Sequence, residues 1–288
     1  MPLFSGHETF PLRFTWLAKA VEAVREDPEA FRDDAAIATF GVGRNMVRSI
    51  RHWALAVGVL EPAPGGGLGP TALGAAVFAP DGADPYCEDP GTHWLVHWRL
   101  CRDAGRAALW HVVFGHGRGG PLDVAAVRET LDPWLEAQGE APPSEATLRR
   151  DLGCLQSLYA PPRRGAIEDA VASPLAGLGL VAGGAVVRPG RRPSLPPAVF
   201  ASAVLDYWDR ARPEAETLAV SDLLWAPGSP GRVFLLSEDA AHELVTSSEA
   251  LPEPPFRYAS TAGVEQLYRA PGASASAALA QHYAVCSA

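Results

Sequence analysis

The chain has 288 residues, 48% hydrophobic and 20% charged, with a formal net charge of −9. This length accommodates two or three domains, each able to bury a core, and the composition excludes intrinsic disorder over most of the chain. The acidic balance excludes a non-specific nucleic-acid coat and confines any nucleic-acid site to a local basic face.

Every basic residue except Lys19 is Arg. With Ala, Gly and Pro also abundant, this reads as codon bias rather than as a choice of phosphate-binding forks. Cys87, Cys101, Cys154 and Cys286 form no C-x-x-C pair and match neither a zinc ribbon nor a disulfide framework, which predicts a reduced, cytoplasmic protein. The N-terminus lacks a basic region followed by an apolar core, and no run of about 18 apolar residues occurs, so neither secretion nor membrane contact is expected.

In chain order, Phe10, Phe14, Leu17, Ala18, Val21 and Val24 mark an amphipathic helix over Phe10 to Arg25, capped by Thr9 with Pro11 in its first turn. Asp33 to Phe40 reads as a short helix, and Gly41 and Gly43 turn the chain into a longer one. That helix puts Met46, Val47, Ile50, Trp53, Ala54 and Val57 on one face, with Arg44, Arg48, Arg51 and His52 largely on the other. Val59 to Glu61 is a candidate strand, Ala63 to Gly69 a glycine-rich hairpin tip, and Thr71 opens a closing helix. The order is that of a winged helix-turn-helix.

After an acidic loop, Asp84 to Pro90, helices are expected at Trp94 to Cys101, Ala107 to Phe114, Leu122 to Gln138 and Ser144 to Tyr159, with a boundary at Pro161 to Gly165. Beyond it, Val199 to Trp208, Ser221 to Trp225, Ser237 to Thr246 and TAGVEQLYR read as helices, Arg232 to Leu236 and RYAS as strands, and Pro271 to Ser276 as a flexible tail. The expected fold is mainly α with small β elements, an α+β chain. Its segments are a winged-helix DNA-binding region at 1–80, a helical region at 81–160 and a mixed α+β region at 161–288.

Three groups of residues can carry chemistry. Arg44, Asn45, Arg48 and Arg51 suit contact with phosphates and base edges, or form the solvated face of an ordinary helix. His7 and Glu8 can move a proton or bind a cation, or simply precede a helix. Asp84, Glu88 and Asp89 can supply oxygens to Mg²⁺, with His93 and His97 four apart beyond them; the alternative is a helix cap and a wet surface. The chain has no P-loop, no Rossmann glycine motif in a strand-to-helix setting, no G-x-S-x-G elbow and no recognisable nuclease signature.

FSGHETFPLRFTWLAKA and DDAAIATFGVGRNMVRSIRHWALAVGVL closely resemble a bacterial family long catalogued as a domain of unknown function, as do DPYCEDPGTHWLVHW, SPLAGLGLV, GSPGRVFLLSEDA and FRYASTAGVEQLYR. The resemblance spans nearly the whole chain. It implies the DNA-nicking component of a single-stranded DNA phosphorothioation system active in anti-phage defence, dependent on Mg²⁺ and acting on double-stranded DNA with the cysteine desulfurase SspA, the ATPase SspC and the sulfur-activating SspD. A nick would open a strand end through which sulfur replaces a non-bridging phosphate oxygen. Within that reading Arg44, Arg48 and Arg51 hold phosphates, Asn45 faces a base edge, His7 is the candidate general base beside Glu8, and Glu88, Asp89 and Asp84 are candidate metal ligands. The alternative is a non-enzymatic winged-helix adaptor that recruits the sulfur-transfer proteins.

Overall fold

The computed structural model describes residues 1–32, 35–160, 173–183 and 186–286. Helices dominate among them, and the β-structure consists of three small antiparallel sheets and an isolated parallel bridge between Gly190 and Leu236, as expected of a mainly helical α+β chain. No helix among the described residues is long and apolar enough to cross a membrane.

Helix α1 (Trp16–Glu26) starts six residues later than the periodicity suggests. Ser5, Glu8 and Thr9 take positive φ, and the Phe10 amide donates to the His7 carbonyl, so Thr9 lies in a tight turn and cannot adopt the extended conformation of an N-cap. The apolar positions nearest the helix still pack: Leu12, Trp16, Leu17 and Val21 are buried.

Helix α2 (Ala35–Phe40) and helix α3 (Arg44–Val57) follow; Asp33 and Asp34, expected in the first turn of α2, lie outside the described residues. Helix α3 ends at Gly58, whose φ of 73° is left-handed. A Cβ there would also meet the Arg99 guanidinium at 2.3 Å, so the backbone conformation favours glycine and a larger residue would displace the end of that arginine. Strands β1 (Leu60–Pro62) and β2 (Leu68–Pro70) form a hairpin. Helix α4 (Ala72–Phe78) closes the unit, capped by Thr71, whose hydroxyl accepts from the Gly74 amide and donates to the Gly58 carbonyl.

Helix α5 (Pro90–Cys101) runs through the middle of the molecule, packed against α3 and buried on most sides by Trp94, Val96, His97, Trp98 and Leu100. Helix α6 (Ala104–Trp110) continues into a π-helical turn, His111–His116. Helices α7 (Val124–Ala137) and α8 (Glu145–Tyr159) are capped by Asp123 and Ser144. The short strands β3 (Gly120–Pro121), β4 (Val181–Ala182) and β5 (Val186–Val187) pair in the order β3-β5-β4. The expected boundary at Pro161 to Gly165 lies outside the described residues.

The remainder comprises α9 (Pro197–Ala211), β6 (Thr217–Ala219), α10 (Val220–Trp225), α11 (Pro230–Val233), α12 (Glu238–Glu249), β7 (Phe256–Thr261), β8 (Val264–Arg269) and α13 (Ala275–Cys286). In three places this part of the chain departs from the expected elements. Arg232 to Leu236 is not a strand, because Ser229 caps a helical turn at Pro230 and Leu235 then takes a φ of 51°. TAGVEQLYR is not a helix: Ala262 and Gly263 both have positive φ, which makes a two-residue hairpin turn and pairs Thr261 with Val264. Residues expected as a flexible tail lead directly into α13, an alanine-rich helix packed along α9. One hydrophobic core, from Leu12 to Tyr283, runs through all three segments of the chain.

Candidate functional site

Gly43, in extended conformation, sends the chain into α3, and Arg44, Asn45, Arg48 and Arg51 all emerge on its exposed side. Arg44, Arg48 and Arg51 share a face at spacings of four and three. The opposite face buries Val47, Ile50, Trp53, Ala54 and Val57. The helix is held at its middle and at its C-terminal end. The Phe10 carbonyl accepts from Ser49 Oγ at 3.2 Å and Trp53 Nε1 at 2.9 Å, and Arg99 Nε donates to the Val57 carbonyl at 2.9 Å. The four side chains thus project from a rigid rod.

His7 lies under this helix and is 1% exposed. Its Nδ1 accepts from the Thr9 amide at 3.1 Å, which places the proton on Nε2, where it donates to Asp151 Oδ1 at 3.1 Å. Asp151, buried on α8, also accepts from the amide and hydroxyl of Ser5. The His7 ring stacks on Trp53 and meets His52 and Trp110 edge-on. Gly6 permits that approach, since a Cβ there would stand 2.4 Å from His52 Nδ1. Burial, His7 and Arg106 lower the His52 pKa to about 3. Both nitrogens of His7 are engaged away from solvent, an arrangement that positions the loop. Glu8 alone of this pair reaches the surface, where its carboxylate stands 3.7 Å from Arg48 Nη1.

The acidic loop is built around Asp84, whose two carboxylate oxygens accept from the Glu88 and Asp89 amides at 2.9 and 3.0 Å. His93 Nε2 closes the loop onto the Cys87 carbonyl at 2.7 Å. Asp89 caps α5 through Oδ1, and its Oδ2 faces His282 Nε2 at 2.5 Å. Glu88 is exposed. Among the described residues the gathered metal-type donors are Asp89, His282 and Cys286, all within 4.8 Å of one another, and they include neither Asp84 nor Glu88. Mg²⁺ prefers six oxygens in octahedral array, so a carboxylate, imidazole and thiol together are a poor Mg²⁺ cage. His97 lies apart in the core, its Nε2 on the Val233 carbonyl and its Nδ1 on the Tyr159 hydroxyl, each at 2.7 Å.

The structure therefore keeps the arginine face together and sets His7 and Glu8 against α3 and α8, while Asp84, Glu88 and Asp89 sit at the start of α5 beside α13. Sequence reasoning missed Asp151, His282 and Cys286. Asp151 is 144 residues from His7, and His282 is 193 from Asp89, so no local spacing relates them.

The family model for a protein of unknown function, DUF4007, matches residues 4–283. The chain belongs to the DUF4007 family. This DUF4007 chain is also similar to two solved structures, a crystal structure of SspB and a magnesium ion-bound crystal structure of SspB, with TM-scores of 0.83 and 0.85. In each case the identity is 30%, over 98% of this chain and 88% of the other. No curated protein matches the DUF4007 chain significantly.

Proposed function

We propose that the chain is an SspB-type DNA-nicking endonuclease of a phosphorothioation system, a phosphodiester hydrolase that uses Mg²⁺. The observation that carries this reading is the similarity to SspB over nearly the full length of both chains, including a form of SspB with bound magnesium. The region of α1 to α4 acts as a winged helix: α3 lies against the duplex, Arg44, Arg48 and Arg51 take phosphates, Asn45 reads a base edge, and the hairpin tip at Gly65 to Gly67 follows the flanking backbone. Phosphate contacts set register, which suits an enzyme that must present one particular bond. His7 holds the loop that carries Glu8 alongside the same helix.

Mg²⁺ would supply charge neutralisation at the scissile phosphate. Asp84 spends both oxygens on backbone amides and Asp89 faces His282, leaving Glu88 as the loop's solvent-facing carboxylate. Partners in this reading are double-stranded DNA and the phosphorothioation proteins SspA, SspC and SspD. The second reading, an adaptor that binds DNA without cutting it, is favoured by the absence of a gathered carboxylate set among the described residues.

Nicking of supercoiled plasmid separates the two. The isolated protein, with Mg²⁺, is expected to produce open circles that EDTA abolishes and that an Arg44→Ala, Arg48→Ala double variant loses. Supercoils left intact by protein that demonstrably binds the plasmid would assign the adaptor role instead.

A further inference from the structure

We infer that Asp89, His282 and Cys286 form a binding site for a thiophilic divalent cation of the zinc class, joining the C-terminal helix to the start of α5. The three side chains come from two elements. Asp89 is the N-cap of α5, and His282 and Cys286 are one helical turn apart on α13, so they share a face. Their donor atoms converge: Asp89 Oδ2 is 2.5 Å from His282 Nε2 and 3.7 Å from Cys286 Sγ, and Sγ is 4.0 Å from the same Nε2.

This convergence distinguishes a metal site from a nucleophilic triad. A Cys-His-Asp relay needs the carboxylate on one ring nitrogen and the thiol on the other. Here both neighbours stand at Nε2, so the imidazole cannot pass a proton from sulfur to carboxylate across its ring. Tetrahedral zinc, with bonds of about 2.0 to 2.3 Å, separates its donors by roughly 3.3 to 3.7 Å. The two edges to sulfur are near that range, and the short Asp89–His282 edge is the hydrogen bond that the cation would open by replacing the bridging proton. The thiol proton leaves as sulfur becomes a ligand. Cys286 is exposed, which leaves water as the fourth donor.

The surroundings hold the donors in place. Asp89 is fixed by its bond from the Gly91 amide and by Asp84 accepting from its own amide. Tyr283, next to His282, is buried and hydrogen-bonds Thr92 on α5 at 2.9 Å, fixing the register of the two helices. Glycine at position 91 permits this close approach, because a Cβ there would lie 2.2 Å from His282 Nε2 and would push the imidazole away. The helix start is therefore shaped to receive that imidazole. The donor set disfavours Mg²⁺, so this site is separate from any magnesium used in nicking.

Cys286 is the only exposed cysteine, since Cys87, Cys101 and Cys154 are buried. Alkylation of the folded, full-length, metal-stripped protein by a maleimide therefore reads Cys286 alone. One equivalent of Zn²⁺ is expected to slow that labelling about tenfold or more, while millimolar Mg²⁺ leaves it unchanged. Co²⁺ is expected to give a thiolate charge-transfer band that Zn²⁺ bleaches and that Cys286→Ser lacks. His282→Gln should weaken Zn²⁺ protection by about tenfold or more relative to its own metal-free labelling rate, with an unchanged far-UV circular dichroism spectrum as the check on folding. Labelling indifferent to Zn²⁺, or a cobalt band that survives Cys286→Ser, overturns the assignment. Plasmid nicking is not among the readouts, so failure here and failure of the nuclease reading remain distinguishable.

Discussion

At the residue scale, the Ser5-Gly6-His7-Glu8-Thr9 segment acts through what it ties together. Asp151 is a buried carboxylate whose acceptors are filled by Ser5 and by His7 Nε2, and the other His7 nitrogen takes the Thr9 amide. Each member thus holds the next. Asp151→Asn preserves shape but exchanges one acceptor oxygen for an NH₂ that faces donors already present. Leaving buried donors unpaired in this way costs about 2 to 4 kcal/mol. Urea unfolding of the variant should show a lower midpoint at an unchanged slope. An unshifted midpoint would mean that the loop is not clamped by this carboxylate.

At the scale of elements, α3 is where sequence and structure agree most closely, and the reasons are physical. A glycine on each side, an apolar stripe at helical spacing and a run of arginines opposite it define the helix locally, and it spans Arg44–Val57. The start of α1 was not legible, because three non-glycine residues there take positive φ to wrap around His7, and it is tertiary hydrogen bonding to Asp151 that fixes them. TAGVEQLYR has apolar residues that fit either period, and the Ala262-Gly263 turn decides for the hairpin. The arginine candidates were readable because they share one helix, whereas Asp89 met His282 and Cys286 only through folding. If α3 is the DNA-contacting element, its arginines should appear in the salt dependence of binding. Replacing Arg44 and Arg48 by Ala should reduce the slope of log affinity against log salt by about 2. A slope equal to that of the unaltered protein would remove α3 from the phosphate interface.

At the scale of the whole molecule, buried neutral imidazoles join segments far apart in the chain, and this makes stability depend on acid. His97 on α5 ties α8 through Tyr159 and α11 through Val233, while His52 on α3 is wedged against Gly6 and His7. Burial lowers both to about 3, from an ordinary value of 6.5. His116, on the π-helical turn beside His111, is lowered to about 4, first by desolvation and then by that neighbour. Each imidazole binds its proton more weakly folded than unfolded, so below about pH 6.5 the unfolded chain takes up the protons and gains stability relative to the fold. The contribution is intact above pH 6.5 and is lost progressively as the pH falls toward the folded values. His242 works in the opposite sense, raised first by its bond to the Glu238 carbonyl and also by Glu265, but it lies at the surface, where solvent screens the effect. Between pH 7 and pH 5, His52 and His97 should each remove about 2 kcal/mol. Thermal unfolding at constant ionic strength should then show a Tm lower by roughly 5 to 10 °C at pH 5 than at pH 7. A Tm that does not change over that interval would mean that His52 and His97 do not stay neutral in the folded core, and that the ties from α5 to α8 and α11 are made differently.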